Sequence, residues 1–212
     1  MISMLTTMQP LSITNGRSKG FTIVMSTHLV LASFSRARAD LLRAAGYEFT
    51  QQPSGVDERP YEPGEDPGAY VEFLAKEKAI AVAAEHPDSV VIGADTVLYL
   101  EGKTYGKPPT LEDAVKMLME LSGRTHLLMT GVCVVGVPGK PLQTAHDTVN
   151  VTMRKWSETH IRRHVEIAKP LAYAGAYALQ QEGCVMVERL DGDPNTVVGL
   201  PLGMVEEMIT PA

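Results

Sequence analysis

The chain has 212 residues, of which 44% are hydrophobic and 21% are charged, and its formal net charge is −6 at pH 7. These proportions are typical of a soluble globular protein and exclude a collagenous, coiled-coil or disordered chain. No apolar stretch approaches the ~20 residues that a membrane span needs, and nucleic-acid coating needs a broad basic face, so neither membrane nor nucleic acid is an expected partner.

Residues 1–27 form the first segment in chain order, and they differ from the rest. They carry only Arg17 and Lys19 as charges and show no sustained periodicity. We expect a disordered leader or extension, or a true start at Met25. A targeting peptide is the alternative, although two basic residues are few for an amphipathic targeting helix. The folded domain is then expected to span residues 28–212.

From His28 onward, strands and helices alternate, with hairpins between some of the strands. Short apolar runs predict strands at 28–32, 89–93, 97–100, 126–137, 142–153, 185–190 and 195–198. Helical spacing of apolar residues predicts helices at 38–45, 68–85, 111–121, 157–165 and 201–209. The fold class is therefore α/β, with a long mixed β-sheet and flanking helices. The two cysteines, Cys133 and Cys184, are expected to be free thiols in a reducing compartment, which favours the cytoplasm.

A Ser- and Arg-rich turn lies between the first predicted strand and the first predicted helix. It contains Ser33, Ser35, Arg36 and Arg38. A helix N-terminus offers free amide N–H groups and a partial positive charge, so hydroxyls and guanidinium groups there can form a compact anion site. In the alternative interpretation, Ser35 only caps the helix and both arginines face water.

Four further residues are candidates for chemistry. Asp95 follows the strand at 89–93, where ligands often bind in α/β sheets, although it could simply shape a turn. Glu58 lies in an acidic loop, and Lys78 and Lys107 are cations that could equally be solvated. Together these residue types suit chemistry on a polyphosphate assisted by a divalent metal. The chain has neither a Walker loop nor a Gly-x-Ser-x-Gly motif.

A series of short motifs, in this order along the chain, resembles the signature of the Maf (septum-formation-inhibitor-like) proteins. The motifs lie at 31–35, 57–58, 74–79, 92–97, 106–108, 121–126, 130–132, 174–180 and 198–202. The resemblance implies a nucleotide pyrophosphatase related in fold to the inosine-triphosphate pyrophosphatases, with two lobes around a deep cleft. Such an enzyme splits a nucleoside triphosphate into the monophosphate and pyrophosphate. The resemblance also implies Mg²⁺ or Mn²⁺ as cofactor and a homodimer.

The resemblance implies roles for individual residues as well. Ser33, Arg38, Lys78 and Lys107 would hold the triphosphate. Ser35 and Arg36 of the same turn are added as substrate-binding candidates, Arg36 as a replacement for a family arginine that is absent at position 37. The catalytic residues would be Asp95, Glu58, Lys107 and Gln180, with Glu58 and Asp95 also holding the metal and Asp95 accepting the proton of the attacking water.

The chain departs from the family pattern in two segments. The family commonly has Ser-Pro-Arg-Arg where residues 35–38 read Ser-Arg-Ala-Arg, and residues 172–181 lack an acid, a lysine and two glycines. Gly-Ala-Tyr at 175–177 with Gln180 resembles the branch that acts on dTTP and UTP, which we favour, whereas residues 192–196 resemble the branch that acts on 7-methyl-GTP. A non-catalytic, nucleotide-binding regulator of cell division is the alternative from another functional class.

Overall fold

The computed structural model describes residues 28–179 and 185–211. The strands are β1 (His28–Leu31), β2 (Thr50–Gln51), β3 (Ser89–Leu100), β4 (Lys103–Tyr105), β5 (Thr125–Val135), β6 (Gln143–Met153) and β7 (Val187–Asp191). The helices are α1 (Arg36–Ala44), α2 (Pro67–Ala83), α3 (Leu111–Leu121), α4 (Glu158–Ala168), α5 (Pro194–Val198) and α6 (Leu202–Ile209), with one 3₁₀ turn at Ala174–Ala176. The predictions for residues 1–27, for Cys184 and for Gln180 lie outside the described residues.

The strands form one mixed sheet, as predicted. Their order is β2-β1-β3-β5-β6-β7, with β4 paired to the end of β3. β1 runs parallel to β2 and β3, whereas the remaining pairs are antiparallel. The expected α/β class with flanking helices is therefore confirmed.

Strand β3 is longer than the sequence predicted, and this changes the place of Asp95. The prediction ended a strand at Gly93 and put Asp95 after it, but β3 continues to Leu100 and Asp95 lies inside it. The placement at a strand end was wrong because β5 pairs with β3 from Val91 to Tyr99. Polar residues within a strand interrupt its hydrophobic pattern, but they do not interrupt the backbone hydrogen bonds to the neighbouring strand.

The helices cover both faces of the sheet. Helix α2 covers the face to which the odd-numbered residues of β3 point, including Val91 and Val97. The opposite face carries two core clusters. One cluster packs α1 and α6 on the first half of β3, and the other packs α3 and α4 on its second half. Asp95 lies on the α2 face of β3, where it contacts Lys78, whereas its neighbour Thr96 points to the opposite face.

One predicted strand is a helix. The sequence predicts a strand at residues 195–198, but they belong to α5. The Asp193 carboxylate accepts a hydrogen bond from the N–H of Asn195 at 2.9 Å, and Pro194 lies in the first turn, so a cap and a proline begin the helix. The chain leaves it at Gly199 with a φ of 113°, in the region that favours glycine.

Two further findings concern cysteine and membranes. Cys133 is a buried free thiol, as predicted, and burial raises its pKa to about 12. Within residues 28–179 and 185–211, no helix has the length and apolar character to cross a membrane.

Candidate active site

The turn between β1 and α1 forms a compact polar loop, as the sequence predicted. The Ser35 hydroxyl accepts the N–H of Arg38 at 3.4 Å and caps α1, and its role in substrate binding stays a prediction. The Ser33 hydroxyl oxygen accepts the N–H of Ser35 at 3.1 Å and an N–H of the Arg38 guanidinium at 3.3 Å. Since both its lone pairs are used, the proton of the Ser33 hydroxyl is left to donate to a ligand.

The two arginines of this turn point to different environments. Arg38 is buried, whereas Arg36 is exposed at the first residue of α1. Within the described part of the chain, the Arg36 side chain has no hydrogen bond or ion pair. The structure therefore does not bring Arg36 into the group formed by Ser33, Ser35 and Arg38, and its role in substrate binding stays a prediction.

Lys78 joins the two predicted carboxylates. Its Nζ lies 2.5 Å from Asp95 Oδ1 and 2.6 Å from Glu58 Oε1. Lys78 and Asp95 are buried, whereas about half of the Glu58 side chain (51%) is exposed. Three residues that are far apart in the sequence, on a loop, a helix and a strand, thus meet at one ammonium group.

Two glycines allow α2 to approach the sheet closely enough for this contact. A Cβ on Gly93 would lie 2.2 Å from the backbone oxygen of Ala75, and a Cβ on Gly131 would lie 2.4 Å from the backbone of Val71. Gly131 is directly opposite Asp95 in the β3–β5 register. Because neither glycine has a side chain, α2 can pack directly against the backbone of β3 and β5 next to Asp95.

The electrostatic surroundings of Asp95 suit a proton acceptor. Burial raises the pKa of this carboxyl group, and the nearby Lys78 and Arg38 cations oppose that rise. A carboxylate with a raised pKa is a stronger base than an exposed one.

A pocket of about 160 Å³ opens beside these residues. It is lined by Ala32, Ser33, Phe34, Pro53, Ser54, Gly55 and Lys78. Drug-sized ligands usually occupy roughly 300–1,000 Å³, so this pocket suits a phosphate group or two and not a whole nucleotide. A nucleotide bound here would extend its nucleoside out of the pocket.

The described residues could bind a divalent cation only if the substrate and water supplied its remaining ligands. Glu58 and Asp95 bring two carboxylates close together around the Lys78 ammonium, and magnesium is usually held by one or two carboxylates plus substrate phosphates. No set of three or more His, Cys, Asp or Glu residues within the described ranges is placed to bind a metal. A cation at this site would thus take its remaining ligands from the substrate and water.

The comparison with known families agrees with this geometry. The model of the Maf-like protein family matches residues 28–212. The chain belongs to this family. It is 46% identical over 181 residues to a dTTP/UTP pyrophosphatase of Moorella thermoacetica, covering 85% of this chain and 93% of that protein. It is 42% identical to a dTTP/UTP pyrophosphatase of Pelotomaculum thermopropionicum, covering 85% and 94%. Among solved structures, the Ham1 protein of Staphylococcus aureus matches with 18% identity and a TM-score of 0.39, over 60% of this chain and 72% of that one.

One of the residues predicted from the Maf resemblance, Lys107, does not join the group around Lys78, and another, Gln180, lies outside the described residues. Lys107 is exposed in the loop after β4 and forms no ion pair with a described carboxylate. That loop is tied to the 3₁₀ turn, since the N–H of Gly175 donates to the Gly106 oxygen at 3.0 Å. The catalytic roles of Lys107 and Gln180 stay predictions.

Three polar groups around Arg38 were not assigned a role from the Maf motifs. The guanidinium donates to Thr96 Oγ1 at 3.0 Å and to the Gly199 oxygen at 2.8 Å, and Thr96 in turn contacts Thr130. Thr96, Thr130 and Gly199 all lie within quoted motifs, so the motifs marked the right segments. Their contact with Arg38 depends on pairing of distant strands, which no local pattern reveals.

A buried histidine anchors the segment that leads to residue 180. His126 Nε2 lies 2.8 Å from the Tyr177 hydroxyl, and both side chains are buried. Within the described residues, His126 Nδ1 has no hydrogen-bond partner. Burial lowers the pKa of His126 to about 4, so the imidazole is neutral at physiological pH.

Acid should destabilise the Maf-like domain through His126. Between pH 6.5 and about 4, the unfolded chain binds a proton that the folded chain does not, so the free energy of unfolding falls as the pH falls. The full effect is about 3 kcal/mol. Urea unfolding of the wild type and of His126→Gln at several pH values measures this effect. The free energy of unfolding should fall less with acid in the variant than in the wild type.

The matched control is His160→Gln, at an exposed histidine of α4. Its loss of stability with acid should parallel that of the wild type. Parallel curves for His126→Gln and the wild type would contradict the assignment of a neutral, buried His126.

Proposed function

We propose that this chain hydrolyses dTTP and UTP to the nucleoside monophosphate and pyrophosphate in a reaction that needs Mg²⁺ or Mn²⁺. The observation that carries the proposal is the buried Asp95, which is held by Lys78 beside an anion-binding turn and a pocket of phosphate size. The similarity to relatives named dTTP/UTP pyrophosphatases supports the substrate class.

The residues of this site have different roles in phosphoanhydride cleavage. The Ser33 hydroxyl and the free N–H groups at the start of α1 donate hydrogen bonds to phosphate oxygens. Arg38 and Lys78 neutralise the charge that develops on the leaving pyrophosphate. Asp95 accepts the proton of the attacking water. A divalent cation held by Glu58 and Asp95 would supply Lewis-acid polarisation of the phosphate oxygens when bound.

The side chains of residues 193–196 have structural contacts that do not depend on any base. In that segment, the Asp193 carboxylate caps α5, and the Thr196 hydroxyl donates to Asp147. These side chains hold the fold together, so their resemblance to the 7-methyl-GTP branch does not require contact with a base. The cytoplasmic location stays a prediction from the free cysteines, and the homodimer stays a prediction of the family resemblance.

Pyrophosphate release from a panel of triphosphates tests the proposal. With Mg²⁺ or Mn²⁺, we expect release from dTTP and UTP in preference to 7-methyl-GTP, dATP and dGTP, and loss of release when the metal is removed with EDTA. Preference for 7-methyl-GTP would refute the assigned substrate, and full activity in EDTA would refute the metal requirement.

Calorimetry beside the same panel distinguishes the non-catalytic alternative. A nucleotide-binding regulator would bind dTTP by calorimetry without releasing pyrophosphate from any member of the panel. The presence of Asp95 beside Lys78 and the pocket favours the enzyme, because a binding protein has no need of a carboxylate close to the phosphates.

A further inference from the structure

Arg38 is the most tightly held side chain of the site. Its Nε donates to the Gly199 oxygen at 2.8 Å, Nη1 donates to Ser33 at 3.3 Å, and Nη2 donates to Thr96 at 3.0 Å. The guanidinium is planar, so three contacts around its edge fix its plane as well as its position. Since Arg38 is buried, these contacts replace water that would otherwise let the side chain move.

The contact with Thr96 is the first member of a directed chain of hydrogen bonds. Thr130 Oγ1 lies 2.7 Å from the backbone oxygen of Thr196, and a carbonyl only accepts, so the single Thr130 proton is used there. Thr96 must then donate to Thr130 across their 2.9 Å contact. With its own proton used, Thr96 can only accept from Arg38. The chain therefore runs from Arg38 through Thr96 and Thr130 to the Thr196 carbonyl.

Both ends of this series of hydrogen bonds contact the segment from α5 to Gly199. Arg38 contacts that segment directly at the Gly199 oxygen and indirectly, through Thr96 and Thr130, at the Thr196 oxygen. Gly199 packs closely against Arg38, since a Cβ at Gly199 would lie 3.2 Å from Arg38 Nε. Its φ of 113° is also in the region that favours glycine. Hydrogen bonds in a low-dielectric interior strengthen one another when all their donors align in one direction.

We propose that Thr130 is a positioning residue for substrate binding, which acts by fixing the Thr96 hydroxyl and through it the guanidinium of Arg38. The inference rests on the proposed function, in which Arg38 contacts the triphosphate. Thr130 itself is not among the residues that line the pocket and has no contact with Lys78 or Asp95 among the described hydrogen bonds.

Substitution of Thr130 by Val and by Ser tests this role. Val keeps the branched shape and removes the hydroxyl, so the Thr96 proton loses its acceptor and Arg38 loses a fixed partner. We expect KM for dTTP to rise roughly three- to ten-fold, because Arg38 binds the phosphates in the ground state, and kcat to fall by a similar or smaller factor, because Arg38 also neutralises charge on the leaving pyrophosphate. Thr130→Ser keeps the hydroxyl and should restore most of the wild-type KM.

The matched control is Thr125→Val on the same strand. Thr125 forms a similar hydroxyl contact, 2.9 Å from Thr152, but it is exposed and remote from Arg38. Its KM should equal that of the wild type. A fall in Tm for Thr130→Val with a wild-type KM would show a merely structural role and overturn the proposal, as would a Ser variant as impaired as Val.

A binding measurement separates this proposal from the proposed function. Calorimetry with inorganic tripolyphosphate and Mg²⁺ reports on the anion site without turnover. Weaker binding to Thr130→Val than to the Ser variant and to Thr125→Val supports the positioning role, even if no triphosphate is hydrolysed. Equal binding by all three variants overturns it, whether or not the wild type releases pyrophosphate from dTTP.

Discussion

Replacement of Asp95 by Asn should lower kcat for pyrophosphate release from dTTP by about 10²- to 10⁴-fold, the range that removal of a general base usually gives. The amide has nearly the same shape as the carboxylate but cannot accept the proton of water. Lys78 keeps Glu58 as a partner in the variant, so the cation is not left alone. Steady-state pyrophosphate release measures the loss, and circular dichroism verifies the fold.

The control for this substitution is Asp88→Asn, an exposed Asp just before β3. It makes the same chemical change on the surface and should leave kcat within about two-fold, as surface substitutions usually do. If Asp95→Asn kept more than a tenth of the wild-type kcat with its fold intact, Asp95 would not be the base. The catalytic part of the proposal would then be wrong.

The acid side of the pH profile gives a second test of the same residue. Because burial raises the pKa of Asp95, kcat/KM of the wild type should begin to fall at a higher pH than an exposed aspartate would give. The base is active only when deprotonated, so activity is lost as the pH falls through this pKa. The residual activity of Asp95→Asn should lack that limb.

Local sequence patterns predicted most elements of this fold, and the errors have clear physical causes. Helix α3 has the predicted bounds, because one apolar face and a Ser-Gly stop are both local signals. The strand predicted at 195–198 was wrong because Asp193 caps this segment and Pro194 lies in its first turn, which begins a helix there. The early end assigned to the strand at Gly93 failed because pairing with β5, and not hydrophobicity, decides where β3 ends.

The site could be predicted as a set of residues but not as an arrangement. Ser33, Arg38, Lys78, Glu58 and Asp95 are brought together in the structure. The sequence gives no way to tell that Arg36 would face solvent while Arg38 turns inward, since both lie at the start of one helix. Nor can it show that Thr130 supports Arg38, because that contact needs β3, β5 and α5 in their final positions.

Gly93 sets the distance between α2 and the catalytic strand, and Gly93→Ala should destabilise the protein by about 3 kcal/mol, the upper part of the usual cost of overpacking. The new methyl group would lie 2.2 Å from the Ala75 oxygen and 2.8 Å from the Ala79 nitrogen. Both atoms are backbone, so no side-chain rotation relieves the clash and α2 must move. Urea unfolding measures the change.

The control for Gly93 is Gly203→Ala in α6, where a Cβ would meet nothing within 4 Å. Alanine is favoured over glycine inside a helix by up to about 1 kcal/mol, so this variant should be as stable as the wild type or more so. Wild-type stability of Gly93→Ala would show that α2 is not held at close contact there.

The same substitution should also reduce activity, because of where the clash falls. Ala75 and Ala79 lie on either side of Lys78 in α2, and Gly93 lies two residues before Asp95 on the same face of β3. Any outward shift of α2 therefore lengthens the 2.5 Å contact between Lys78 and Asp95. We expect kcat to fall at temperatures where the variant is still fully folded. Unchanged kcat in folded Gly93→Ala would mean that the Lys78–Asp95 contact does not depend on how closely α2 packs.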